Sequence, residues 1–557
     1  MSAPDSTTLG PLDFSVLGLT LIISAGIGIY YRFSGGRQRT AKEYLIADGN
    51  MSVLPVAFSL MASFMSAVTL LGVPKENYFH GTEFFIINIA YIIGTPIVCF
   101  VFLPVFYRLQ TVSVYGYLEK RFGRPTRLLS SGIFIVQMVF YMSVVLYAPA
   151  VTLQAVTRLS RWYSIISVGI VCTFYCTIGG MKAVLWTDLF QSCLMFASMF
   201  AVLIAGTYRL GGLSNVMHEV IEGGRFNYGS FSFDPEERHT IWSLVFGGLF
   251  VYMSLYGVNQ AQIQRLLSVK TLAQAQKAMF IQWPILTMLS FTSCFTGLVI
   301  YANFRGCDPY VTGKIQYPDQ ILPYFVMKYL GGIPALPGLF IAGIFSGALS
   351  TVSSAINSLA AVTFEDFVRP MYKEGTAHEG LLIKTIALFY GVICVLLTGI
   401  AERLGGVLQA SFVFFGVGGG PLLGVFTLGM LSRRTGQKAA LSGIVSGLLF
   451  GLWIGAGALF EAAKPNMLPL DNQRCPEELV VRNATLILSK SCSWYLPLCN
   501  ISYQWYTFAA WLPTVLVGLL ASLVWPNKLP DVELYLSPIL KPEVSCGKES
   551  PTLRMRL

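Results

Sequence analysis

Ser59-Leu-Met-Ala-Ser-Phe-Met-Ser-Ala-Val-Thr69, flanked by Pro55 and Pro74, interrupts a long apolar stretch with small and hydroxylated residues. About 20 apolar residues cross roughly 30 Å of hydrocarbon as a helix. A serine-, alanine- and threonine-rich middle leaves two readings open. The span is a helix with a small-residue face for close packing. Alternatively it is a broken helix, of the kind whose freed carbonyls hold ions at the bilayer midplane of secondary transporters.

Runs of similar length recur on both sides. Thirteen candidate spans fall near 13–33, 52–74, 83–107, 128–157, 162–180, 183–209, 240–263, 276–303, 337–366, 382–401, 407–431, 439–462 and 506–526. The 557 residues are 54% hydrophobic and 12% charged, against about 25% charged in soluble domains; mean hydropathy is +0.62. The class is therefore an all-α integral membrane protein. A barrel would show short alternating segments instead.

The net charge of +10 does not mark a nucleic-acid partner, because the basic residues sit in short loops between apolar runs. Alternate loops hold Arg37, Arg39 and Lys42; Arg108, Lys120, Arg121, Arg124 and Arg127; Lys182; Arg265 and Lys270; Arg369 and Lys373; Arg433, Arg434 and Lys438. These are expected to be cytoplasmic. The N-terminus is then outside and the C-terminus inside. Met1 to Asp13 carries no Lys or Arg, so the basic region of a cleaved signal peptide is missing. The loop 463–505 falls outside and contains the sequons Asn483-Ala-Thr and Asn500-Ile-Ser, candidate glycosylation sites. It also holds Cys475, Cys492 and Cys499, while exterior loop 304–336 holds Cys307. These four allow three complete disulfide pairings.

His80, His218, His239 and His378 all fall in predicted loops, which leaves no histidine for a proton relay within the spans. No phosphate-binding loop, nucleotide motif or nucleophile elbow is present. ATP-driven transport and enzymatic hydrolysis therefore have no sequence support, and the chain is read as a non-enzyme.

Span nine carries Phe345-Ser-Gly-Ala-Leu-Ser-Thr-Val-Ser-Ser-Ala-Ile-Asn357. On a helix the Gly347 carbonyl lies near the hydroxyls of Ser350 and Thr351, and such neutral oxygens suit a monovalent hard cation. Gly343, Gly347, Ser350 and Ser354 equally make a stripe for close helix contact. In span six, Asp188 is a carboxylate inside an apolar run. It is either a functional group or an anion placed near a helix N-terminus. Span seven is dense in Tyr252, Tyr256, Asn259, Gln260, Gln262 and Gln264, which suggests a polar cavity or, for the last two, a place at the cytoplasmic end.

Several stretches resemble the sodium/solute symporter family: Glu43-Tyr-Leu-Ile-Ala, Leu71-Gly-Val-Pro-Lys-Glu, Tyr117-Leu-Glu-Lys-Arg-Phe122, Gly179-Gly-Met-Lys-Ala-Val with Thr187-Asp188, Gly257-Val-Asn-Gln-Ala-Gln, Gly347-Ala-Leu-Ser-Thr and Gly420-Pro-Leu-Leu-Gly. The resemblance implies a leucine-transporter-type fold with a 5+5 inverted repeat. Residues 52–209 would form one half and 240–431 the other. Residues 1–12 would be an exterior N-terminus, 13–33 an extra helix, 439–526 two peripheral helices and 527–557 a cytoplasmic tail. It also implies a sodium site of Ala62, Met65, Gly347, Ser350 and Thr351, and a second at Ser66, Asp188 and Gln191. Phe64, Thr69, Tyr141 and Asn259 would surround the substrate; Tyr252, Tyr256 and Phe412 are further candidates for the same wall, outside the resemblance.

Within that family, Ala62-Ser-Phe-Met-Ser-Ala-Val-Thr69 is most similar to the monocarboxylate and iodide branch, and Thr69 resembles the monocarboxylate members. Two departures stand out: Gly116 where relatives often have Glu, and Lys75 where a small residue is common. The expected function is sodium-coupled import of a small organic anion across the plasma membrane. The alternatives are iodide, a biotin- or pantothenate-type vitamin, a sugar, or a sensor or channel on the same fold.

Overall fold

The computed structural model describes residues 9–33, 41–157, 161–371, 379–401, 406–460, 467–470, 501–527 and 532–540, with 473, 475, 498, 500 and 529. Among them all regular structure is helical, as hydrocarbon demands of backbone groups that find no water.

In chain order the principal helices are α1 (Pro11–Phe33), α2 (Val53–Phe64), α3 (Ala67–His80), α4 (Thr82–Leu109), α5 (Gly116–Phe122), α6 (Arg124–Val156) and α7 (Arg161–Arg209). There follow α8 (Leu213–Glu222), α9 (Ser243–Gly257), α10 (Gln260–Leu266), α11 (Leu272–Phe304), α12 (Leu336–Met371), α13 (Glu379–Ala401), α14 (Val407–Leu431), α15 (Gln437–Phe460) and α16 (Tyr506–Val524). Ten helices are long and apolar enough to span a membrane; two bent pairs, α2–α3 and α9–α10, bring the number to twelve among the described residues. The expected thirteenth, 162–180, is the first part of α7. Gly180, at φ 58°, separates it from 183–209, but its own apolar helix is only Trp162–Val171.

The expected span 52–74 is in fact two helices bent by 58°, and it runs on to His80. Met65 and Ser66 leave helical geometry with ψ of 85° and 178°, and the Ser66 hydroxyl restarts the helix by accepting the Val68 N–H at 3.2 Å. The second break is built alike. Asn259 has ψ 131°, its side-chain oxygen takes the Ala261 N–H at 2.9 Å, and the bend is 57°. Each break stands in the first span of one expected five-span half.

α12 is the central helix, buried along nearly all of its apolar length, whereas α1 is mostly exposed. It packs on α7, α6, α2 and α3. At one end of the bundle, Cys307 is disulfide-bonded to Cys475. Asn500 lies in a turn at that end, while Asn483, Cys492 and Cys499 fall outside the described residues. The histidines are less uniformly in loops than expected. His80 ends α3 and His218 sits in α8, while His239 is in a loop and His378 lies outside the described residues.

Candidate functional site

The first break leaves the Ala62 carbonyl without its usual helical partner. Across from it, the Ser350 hydroxyl stands 3.0 Å from the Ala62 carbonyl and 3.2 Å from that of Gly347. The Thr351 hydroxyl lies 3.5 and 3.0 Å from the same two oxygens. Both hydroxyls thus face α2, not lipid, and all four residues are buried. Oxygens holding a hard cation at about 2.4 Å at right angles stand roughly 3.4 Å apart. Four neutral oxygens at the observed spacing suit a monovalent cation, with little rearrangement beyond turning two hydroxyl protons away. Gly347 is required for the close approach: a β-carbon there would meet the Ala67 nitrogen at 2.9 Å and the Ser66 carbonyl carbon at 3.1 Å.

On the other side of the same break lies a cavity of about 50 Å³. Phe64, Met65, Ser66, Thr69, Tyr141 and Phe412 line it. Ser66 and Tyr141 share its wall. Tyr91, Ser290 and Ser411 also reach the wall, and the sequence reading missed them. Tyr91 stands in an apolar run and Ser290 among the hydroxyls of Thr287, Thr292 and Ser293, each on a helix distant in sequence, so only Ser411, next to Phe412, carried a signal that pointed here. Among the described residues no charged side chain lines the cavity.

Three expected members stand outside its wall. Tyr252 bonds Thr95 at 2.6 Å, the Tyr256 hydroxyl reaches the Leu60 carbonyl at 3.3 Å, and Asn259 caps α10. The rings still contribute, since Tyr256 packs on Phe64 with centroids 5.6 Å apart. The glutamines of α10 do not make a polar cavity either. Gln262 donates to the Leu60 carbonyl at 3.3 Å, Gln264 to that of Leu45 at 2.7 Å, and Gln260 to that of Val112 at 2.9 Å.

Ser66, Asp188 and Gln191 are not brought together. Ser66 belongs to the cavity, whereas Asp188 accepts the Ser59 hydroxyl at 2.5 Å and faces the Arg265 guanidinium at 3.6 Å. Arg265 donates to Ser59 at 2.7 Å and contacts Ser354, which in turn bonds Ser63 at 2.9 Å. Gln191 reaches Ser24 at 3.5 Å. Arg265 was counted among loop charges; it is 1% exposed and joins α2, α7, α10 and α12. Asp188 sits two turns beyond Gly180, too deep for a helix-end effect to be its main support, and the buried cation is its counter-charge.

Residues 44–447 match the model of the sodium:solute symporter family. A Drosophila melanogaster protein provisionally named a sodium-dependent multivitamin transporter is 48% identical, covering 96% of this chain and 92% of its own. Human sodium-coupled monocarboxylate transporter 1 is 41% identical, covering 92% of this chain and 87% of its own. Among solved structures, a Na+-coupled sialic acid symporter in a substrate-bound outward-open state superposes with a TM-score of 0.76 at 20% identity, covering 93% of this chain and all of its own. MhsT in complex with L-phenylalanine gives 0.50 at 15%, covering 85% and 99%. These likenesses establish a leucine-transporter-type fold. By its family match and its relatives along nearly the whole length, this multi-pass membrane chain belongs to the sodium:solute symporter family and couples sodium to the transport of a small solute.

Proposed function

We propose that the chain imports a small organic monocarboxylate, of the lactate, pyruvate or short-chain fatty-acid kind, together with sodium. The observation that carries this reading is the cavity itself. It is small, apolar and aromatic, dotted with hydroxyls, and shares the Met65–Ser66 break with the oxygen cluster of Ala62, Gly347, Ser350 and Thr351. A cavity of about 50 Å³ holds roughly four water-sized centres, which suits a solute of few heavy atoms with a short apolar body. A sugar would call for more polar groups than this wall offers.

In the mechanism we infer, sodium occupies the Ala62, Met65, Gly347, Ser350 and Thr351 oxygens and fixes the angle between α2 and α3. That angle shapes the cavity under Phe64, Thr69, Tyr141 and Phe412. One group of helices then rocks against the other, and the solute and ion leave at the far side. The membrane potential adds about 2.3 kcal/mol per 100 mV for each net positive charge moved inward. The disulfide supports placing its end of the bundle outside the plasma membrane, with the N-terminus exterior. Residues 52–209 and 240–431 would be the two halves of the repeat.

A second reading, a vitamin carboxylate, is favoured by the 48% identity to the Drosophila relative. It requires a wider cavity than the one seen. Sodium-dependent uptake of lactate, pyruvate, butyrate, nicotinate, biotin, iodide and glucose separates the readings. Uptake of the small carboxylates, abolished in choline, is expected. Uptake of glucose or iodide alone would refute the proposal.

A further inference from the structure

Lys75, the departure noted in the sequence, sits in α3 one turn beyond Gly72, which packs against Leu408 of the cavity wall. Its ammonium lies 3.3 Å from Asp319, and both side chains are about nine-tenths buried. The amine rests on Gly406, where a β-carbon would come within 2.8 Å of it. Asp319 has a second attachment: its other oxygen accepts the Val407 N–H at 3.3 Å, the first amide of α14. The two ends of the ion pair are therefore unequal. When α3 and α14 part to uncover the cavity, Asp319 keeps an amide donor and the positive end of a helix. Lys75 keeps no anion. Two arginines near the pair are committed elsewhere, Arg238 to Glu76 and Arg225 to the Tyr78 and Pro469 carbonyls. The cavity wall itself holds no charge among the described residues.

We propose that Lys75 sets the charge selectivity of transport, its ammonium exchanging the Asp319 carboxylate for that of the incoming solute as this end opens. The proposal rests on the monocarboxylate reading above. A neutral solute would gain nothing from the exchange, because it cannot replace the lost counter-charge.

The test is butyrate uptake by the full-length chain in cells, normalised to surface protein, for Lys75→Gln, Lys75→Arg and Lys75→Gln/Asp319→Asn. The double variant leaves no unpaired buried charge, so folding is spared. Both glutamine variants should raise the KM for butyrate about tenfold, equivalent to about 1.4 kcal/mol, with kcat within about twofold. Sodium half-saturation at saturating butyrate should stay unchanged, and Lys75→Arg should restore the KM. An unchanged KM in the double variant, or a rise in Lys75→Gln that the double variant cancels, overturns the role of Lys75. A wild-type chain that carries no carboxylate with sodium refutes both readings before any variant is made.

Discussion

Thr351→Val probes the oxygen cluster with least disturbance of shape. Valine keeps the branched side chain but removes the hydroxyl that stands 3.0 Å from the Gly347 carbonyl and 3.5 Å from that of Ala62. If the hydroxyl coordinates sodium, its loss removes a contact to a full charge, worth about 1.5–3 kcal/mol. At 1.4 kcal/mol per tenfold, sodium half-saturation should rise between about tenfold and 150-fold. Fold stability should fall by only about 1 kcal/mol, the ordinary value of one neutral hydrogen bond, because Ser350 still serves both carbonyls. Thr351→Ser keeps the oxygen and should stay within about threefold of wild type. Coupling is reciprocal, so the KM for the carboxylate in Thr351→Val should rise at low sodium and recover at saturating sodium. The assay is sodium activation of uptake, normalised to surface protein. A wild-type activation curve in Thr351→Val would refute the placement of the ion.

Gly347→Ala drives a methyl against the α3 backbone, which cannot yield as a flexible side chain would. Overpacking of this kind costs about 1–3 kcal/mol and should lower the thermal midpoint of the solubilised protein and abolish sodium-driven uptake. Arg265→Met leaves Asp188 buried and uncompensated, a loss of about 3–5 kcal/mol; Arg265→Met/Asp188→Leu should recover much of the surface expression, and equal losses in both would show that the pair is not the cause. His239 is pushed down to about 4 by burial, with Glu76 favouring its charge and Arg238 opposing it. Neutral when folded, it binds fewer protons than the unfolded chain below about pH 6.5. Its contribution is complete above that pH and is lost toward pH 4, about 2 kcal/mol between pH 7 and 5. Protease resistance of the loop before α9 should therefore fall with acid in wild type and much less in His239→Gln.

The first break was half legible: Ser63, Ser66 and Thr69 in one apolar span fit a broken helix or a close-packing face equally, and the 58° bend decides between them. The second was hidden in plain view. Asn259 in an apolar span reads as a cavity amide, yet a short amide also caps its own backbone, and composition cannot distinguish the two uses. The α10 glutamines were ambiguous for the same reason. Their partners are carbonyls of residues 45, 60 and 112, far off in sequence. Arg265 was misread because loop charges and buried charges look alike one residue at a time. Only the fold supplies Asp188 as its partner, 77 positions earlier. Tyr91, Ser290 and Ser411 illustrate the same limit for the cavity: a wall assembled from six spans leaves no periodic trace in any one of them.

The proximity of the two candidate sites has a consequence for coupling. Ala62 faces the hydroxyls of α12, and three residues on, Met65 and Ser66 face the cavity. No helical hydrogen-bond ladder bridges this stretch; the restart depends on the Ser66 hydroxyl, and Ser66 also lines the cavity beside Tyr141. A cation that draws the Ala62 carbonyl toward Gly347, Ser350 and Thr351 therefore acts on the same few torsions that position Ser66 and Phe64. The coupling needs no extended pathway, only one bend with two stable settings. Loosening it should weaken coupling without removing a single ion contact. Ser66→Ala, which loses the cap but none of the four oxygens, should thus blunt the dependence of carboxylate KM on sodium while leaving carboxylate-independent sodium binding in place. If sodium binding fell in step with coupling, Ser66 would have to belong to the ion's own site.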